Sequence, residues 1–150
     1  MALKYSVSNP NETWINSNGF ILFYFFAILV VHLVLLSFPF LSTESVWTLT
    51  NTVHSLVNFL LLHWYKGAPF VTMDQESDSK TQWEQLTANN ELDIYKRFLI
   101  AAPIIVFFIA VAYTHYNSVH FLINLAFLAL AVIPKIPGLY GVRLFGINRY

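Results

Sequence analysis

Five histidines, and two sets of amides interleaved with them, are the side chains of this 150-residue sequence best equipped for chemistry. Histidine ligates metals and moves protons, and membrane oxidases and desaturases gather it at close helical spacings. Those spacings are missing here. His115 and His120 stand about 140° apart around a helix, His54 and His63 point in opposite directions, and His32 stands alone. They read as neutral imidazoles hydrogen-bonded within a helical bundle or near an interface. No metal ligand and no cofactor is expected.

The amides are more regular. Asn51, His54 and Asn58 recur at spacings of three and four, as do Asn117, His120 and Asn124, so each set shares one helix face. Amides left unpaired in lipid are costly. These faces therefore meet other helices, either of this chain or of a partner. General acid and base work needs positioned carboxylates, and the apolar segments contain none. Neither a Gly-rich phosphate loop nor a nucleophile elbow is present. An enzyme is not expected.

A third polar cluster, "NPNETWINSNGF" from Asn9 to Phe20, stands at the mouth of the first apolar run. Asn11-Glu12-Thr13 is an N-glycosylation acceptor sequence, Asn9-Pro10 starts turns, and Ser17 or Asn18 is placed to cap a helix. A sugar site, a plain turn and a ligand contact are all open readings of the residues. The side of the membrane on which they lie decides the first.

The elements that must position these residues follow from charge. Hydrophobic residues make up 57% of the chain and charged residues 11%, against roughly 25% charge in soluble domains. Charge-free runs separate Glu12 from Glu44, Glu44 from Lys66, and Arg97 from Lys135. About 20 apolar residues cross a bilayer, so the first two runs supply spans of about 20–41 and 45–65, joined by a tight turn at Ser42 to Glu44. The third would be roughly 55 Å long as one helix. Its polar midpoint, Tyr113 to Ser118, reads as a turn, which leaves spans of about 98–116 and 119–133. The last is short unless the bilayer is thin or Lys135 snorkels past its end.

The expected architecture is thus an all-α membrane protein, a single domain over 1–150, with four transmembrane helices in two short-turn hairpins. All eight Lys and Arg residues then fall on one side. Basic residues stay cytosolic, which places both termini and the central loop in the cytosol. A cytosolic Asn11 stays bare despite its sequon. Net charge is zero and the central loop is slightly acidic, so nucleic acid is not an expected partner. The lipid bilayer is.

Within the central loop, Lys66 to Phe70 reads as a turn. Gln75 to Lys80 is polar and reads as mobile. Thr81-Gln82-Trp83-Glu84 fits a capping box that starts a short helix, with Trp83 and Leu86 on one face at the headgroup level, and Asn89-Asn90 ends it. Pro103 should bend the third span. Gly138 to Tyr150 suits a chain packed along the cytosolic surface.

Several stretches resemble the Orm/ORMDL family of endoplasmic-reticulum membrane proteins over nearly the whole length. They are "NPN" at Asn9, Asn16 to Gly19, "VWTLTN" at Val46, "KGAPF" at Lys66, "WEQ" at Trp83, and "IPKIPGLYGVRLFGINRY" from Ile133 to Tyr150. The resemblance implies a multi-pass, non-catalytic regulator with four spans and cytosolic ends. Its implied partners are serine palmitoyltransferase subunits, which it restrains when ceramide is plentiful, giving feedback control of sphingolipid synthesis. It implies that Asn11 hydrogen-bonds ceramide, and that Met1, Ala2, Leu3, Lys4 and Tyr5 belong to an inhibitory segment reaching toward the synthase active site. Amides suit that lipid because Asn donates and accepts at once. The resemblance further places Leu61 where the family has a lipid-facing aromatic, and Gln82 where it has a His. The alternative function, from another class, is a small oligomeric membrane carrier or channel lined by the Asn and His stripes.

Overall fold

The computed structural model describes residues 9–67, 78–88 and 93–142. Met1 to Tyr5, Ala68 to Phe70, Asn89-Asn90 and the last eight residues, which carry several of the expectations above, lie outside them. The described residues are helical apart from turns and one antiparallel bridge between Lys66 and Thr81.

Among the described residues, six α-helices follow in order. A one-turn helix α1 (Pro10–Thr13) precedes α2 (Phe20–Leu36) and α3 (Thr43–Phe59), which continues as a π-helical turn over Leu60–Trp64. The short α4 (Gln82–Leu86) precedes α5 (Ile94–Tyr113) and α6 (Ser118–Val132), and two 3₁₀ turns, Ile133–Lys135 and Pro137–Leu139, close the described chain. By length and composition α5 and the run 118–135 are able to cross a bilayer, with mean hydropathy of 2.1 and 1.7, and α2 is a shorter apolar helix.

Helix boundaries differ from the expected ones for local reasons. α2 stops at Leu36 rather than near Leu41, because Ser37 folds its hydroxyl onto the Val34 carbonyl and Pro39 disfavours helix at Phe38. The turn is therefore 37–42, and Ser42 is already the cap of α3, its hydroxyl accepting from the Ser45 amide. α5 starts at Ile94 because Asp93 caps it through the Lys96 amide and pairs with the Lys96 ammonium at 3.5 Å. The turn between α5 and α6 falls where the polar midpoint placed it, with His115 and Tyr116 in the left-handed region at φ 51° and 57°. Asn117 leaves its expected stripe and caps α6, accepting from Val119 and His120 amides. Neither Ser17 nor Asn18 caps α2; Gly19 stands at that position without a side-chain bond.

α3 is the hub, packing against α2, α5 and α6, while α5 and α6 pack on each other. Its amide face accounts for this. Asn51 donates to Asn124 Oδ1 at 2.9 Å, and Thr48 Oγ1 lies 2.8 Å from His120 Nδ1. Asn51, Thr48, His120 and Asn124 thus meet across α3 and α6 inside the bundle, which offsets part of the cost of amides in an apolar medium, although Asn51 Oδ1 stays buried without a partner among the described residues. α2 is the opposite case: Phe23, Phe26, Leu29 and Leu33 are exposed and only Phe20 is buried. A helix apolar all round belongs in a hydrocarbon setting or a larger core.

One end of the bundle is closed by a small core of Ile15, Phe20, Leu62, Trp83, Leu86 and Leu99, with Tyr24, Phe98 and Tyr140 against it. Trp83 and Leu86 point into this core instead of out to headgroups, because α1 covers α4 from above. Lys135 likewise does not snorkel. The 3₁₀ turn that carries it directs its ammonium inward, 2.6 Å from Asn58 Oδ1 and 2.8 Å from the Ala131 carbonyl.

Candidate functional site

The site grows from two short helices that lie against each other. In α4 the capping box forms as its sequence predicts: the Thr81 amide donates to Glu84 Oε2 at 2.9 Å, and the Glu84 amide to Thr81 Oγ1 at 3.4 Å. This fixes the side chains of Gln82 and Gln85 one turn apart along α4. In α1, Pro10 occupies the first turn, where its missing N–H costs nothing, and Asn9 caps by accepting from the Asn11 amide at 2.9 Å.

The two helices are stitched by amides. Gln85 Oε1 accepts from Asn9 Nδ2 at 2.8 Å and from Asn11 Nδ2 at 3.1 Å. Gln85 Nε2 donates to the Lys80 carbonyl at 3.2 Å. Gln82 Nε2 donates to the Asn11 carbonyl. Because a carbonyl only accepts, that last bond fixes the orientation of the Gln82 amide and leaves its Oε1 buried without a partner among the described residues. Asn11 is fully buried, so its sequon is closed to a glycan in the folded chain whichever side it faces.

Of the residues singled out from the sequence, Asn11 and Gln82 are therefore brought into contact. Leu61 is not part of the clamp. It sits half-exposed on the π-helical turn and, with Gln82, borders an apolar cavity of about 250 Å³ between α2 and α3. π-helical turns recur at functional positions, and here the turn exposes Leu61 while burying Leu62 in the core. Met1 to Tyr5 lie outside the described residues.

The sequence reading named His54 and Asn58 but missed Tyr24, with which they form the polar wall of the cavity. Asn58 Nδ2 donates to the Tyr24 hydroxyl at 3.0 Å, and that hydroxyl lies 2.6 Å from His54 Nε2. Lys135 holds the far side of Asn58 and stacks 5.8 Å above the Trp83 ring. Tyr24 carries the one polar tip on α2 before His32, a signal that was available. Gln85 was readable only as the middle of a helix. The arrangement is a rigid amide clamp next to an apolar slot, suited to holding a chain segment and a lipid.

Comparison with known proteins agrees with the motifs. The ORMDL family model matches residues 9–143. ORM1-like protein 3 of Mus musculus is 45% identical over 147 residues, 97% of this chain and 96% of the relative. ORM1-like protein 2 of Bos taurus is 44% identical over 151 residues, 100% and 99% of the two chains, and ORM1-like protein 1 of Danio rerio is 43% identical with the same coverage. The amide clamp, the α3–α6 stripes and the inward-turned Lys135 fall inside the matched region, and on that match this chain belongs to the ORMDL family.

Proposed function

We propose that this chain is a non-catalytic regulatory subunit that inhibits serine palmitoyltransferase in response to ceramide. Membership of the family supports a role in sphingolipid regulation. The finer reading adds four spans, cytosolic ends, residence in the endoplasmic-reticulum membrane, and association with the synthase subunits. The observation that carries it is the clamp of Asn9 and Asn11 on Gln82 and Gln85. It fixes the start of the described chain against α4, beside a cavity bordered by Leu61 and Gln82.

In this reading Met1 to Ser8 extend from a fixed base toward the synthase, and ceramide favours the state in which that base is held. A ligand shifts an equilibrium only by its differential affinity, so ceramide must bind the restrained state better. Its headgroup meets the amides, and a chain lies along Leu61 and the apolar slot. The test is synthase activity in membranes titrated with ceramide. Deleting Met1 to Ser8 leaves the complex assembled and relieves inhibition; loss of assembly would show instead that these residues dock the subunit.

The carrier or channel reading needs polar stripes free to line a pore. The Asn51–Asn124 and Thr48–His120 pairs place those stripes against each other, which favours the regulator. A homo-oligomer that moves solute across liposomes would reverse that preference.

A further inference from the structure

A second apolar cavity, of about 190 Å³, lies on the other side of α2, between it, α3 and α5. Its rim carries His32, whose hydrogen bonds determine its tautomer. The Thr50 hydroxyl has one proton, and gives it to the Val46 carbonyl at 2.8 Å. Thr50 Oγ1 must then accept from His32 Nδ1, 2.9 Å away. A neutral imidazole with its proton on Nδ1 keeps a lone pair on Nε2. That nitrogen has no hydrogen-bond partner among the described residues, and the ring is half-buried, 4.1 Å from the Trp47 ring.

The position of this acceptor is informative. His32 lies one turn from the end of α2, Trp47 one turn from the start of α3, and Tyr113, stacked on Trp47 at 4.5 Å, ends α5. Stacked aromatic rings one turn from helix ends mark an interface level. From there the cavity follows α5 inward along Ile109, Ile105 and Ala102, about 10 Å at 1.5 Å per residue. Phe25 and Ile105 are half-exposed at its side, so it opens laterally.

We infer that this cavity binds a lipid consisting of an apolar body with a single hydroxyl, the hydroxyl donating to His32 Nε2. A lone acceptor repels carboxylates and phosphates, so fatty acids and phospholipid headgroups do not suit it. The volume exceeds the roughly 150 Å³ that admits benzene and falls below the roughly 300 Å³ at which whole drug-sized ligands fit. It takes the hydroxyl-bearing end, and the rest of the body continues past Phe25 and Ile105. A sterol and a long-chain alcohol share this chemistry. The inference is independent of the inhibitory role proposed above.

The full chain in phosphatidylcholine vesicles, exposed to photoreactive probes and mapped by mass spectrometry, tests it. A diazirine cholesterol should label residues 25–32 and 102–109 several-fold more than its 3-deoxy analogue. His32→Phe keeps a ring against Trp47 without the acceptor and should lower labelling roughly two- to twelve-fold, the range of one hydrogen bond. Ala102→Leu fills the cavity without touching His32 and should abolish it. A diazirine hexadecanol labelling as well as cholesterol would assign the site to hydroxylated chains as well as rings. Equal labelling by the 3-deoxy probe, or labelling unaffected by Ala102→Leu, would overturn the inference, and the probe comparison needs no variant to fold.

Discussion

The Lys135 ammonium lies 2.6 Å from Asn58 Oδ1, and both side chains are buried. A lysine only donates, so this contact decides which end of the Asn58 amide is oxygen. The amide's other end then donates to the Tyr24 hydroxyl at 3.0 Å, and the hydroxyl proton is left to point at His54 Nε2, 2.6 Å away. One cation thereby orders a run of hydrogen bonds from the 3₁₀ turn through α3 to α2. α2 has little else polar to hold it, the other tie being His32 to Thr50.

This run predicts a coupling. Asn58→Leu leaves the buried ammonium with the Ala131 carbonyl but without the Asn58 oxygen, and should cost about 1.5–3 kcal/mol, the range for hydrogen bonds to charged groups. Lys135→Met removes the charge with its own desolvation cost and should be milder. Together the two substitutions should cost less than their sum, because the second removes the group whose bond to Asn58 the first took away. Unfolding of the full chain in detergent measures all three. Strict additivity would mean that the two residues do not depend on each other.

The α5–α6 turn makes a separate prediction. Tyr116 holds φ 57° with its ring three-quarters exposed. An L-residue in the left-handed region costs roughly 1–2 kcal/mol, which glycine avoids. Tyr116→Gly should therefore stabilise the fold by up to about 1 kcal/mol after glycine's own entropy cost, read as a higher midpoint of thermal unfolding. A lower midpoint would show that the ring contributes more than its exposure implies.

The long helices were legible because they rest on hydropathy and charge, whereas the sequence left open whether each amide face meets this chain or a partner. The two amide stripes read as faces from their spacing, and the capping box at Thr81 needed only its four residues. Lys135 was misread for an identifiable reason. A lysine after an apolar run ordinarily reaches for water, and the Asn58 oxygen that draws it inward is 77 positions away in the chain. The same distance problem hid Gln85, which becomes an acceptor only when Asn9 and Asn11 arrive from the other end. The early stop of α2 was readable from Pro39, but the charge-free run concealed it.

Topology is open to direct measurement because the chain has no cysteine. Phe40 and Tyr116 lie in the two turns and are well exposed, and Thr13 is exposed at the opposite end. In sealed, cytosol-outward microsomes, Phe40→Cys and Tyr116→Cys should resist a membrane-impermeant maleimide until the vesicles are opened. Thr13→Cys should react at once. Glycan mapping at Asn11 would be a poor substitute, since that side chain is buried whichever side it occupies. Reaction of either turn variant in sealed vesicles would place that turn on the cytosolic side and end the two-hairpin orientation.

Two roles are proposed for Asn11, clamp and lipid contact, and Gln85 separates them. Asn11→Ala removes the bond to Gln85 Oε1, worth about 0.5–1.5 kcal/mol, and any bond to ceramide as well. Gln85→Leu removes both amide acceptances at Oε1 without altering Asn11 itself. If the clamp alone matters, Gln85→Leu should shift the ceramide inhibition curve at least as far as Asn11→Ala, and both should speed hydrogen exchange over residues 11–16. If Asn11 also binds the lipid directly, Asn11→Ala should shift the curve further than its effect on exchange accounts for. Leu61→Phe supplies the control on the apolar side. It adds ring area at the cavity mouth without touching the clamp, and should lower the ceramide needed for half inhibition by a few-fold while leaving exchange at 11–16 unchanged. Curves that move for none of the three would remove this end of the bundle from ceramide sensing, and with it the proposed role of the clamp.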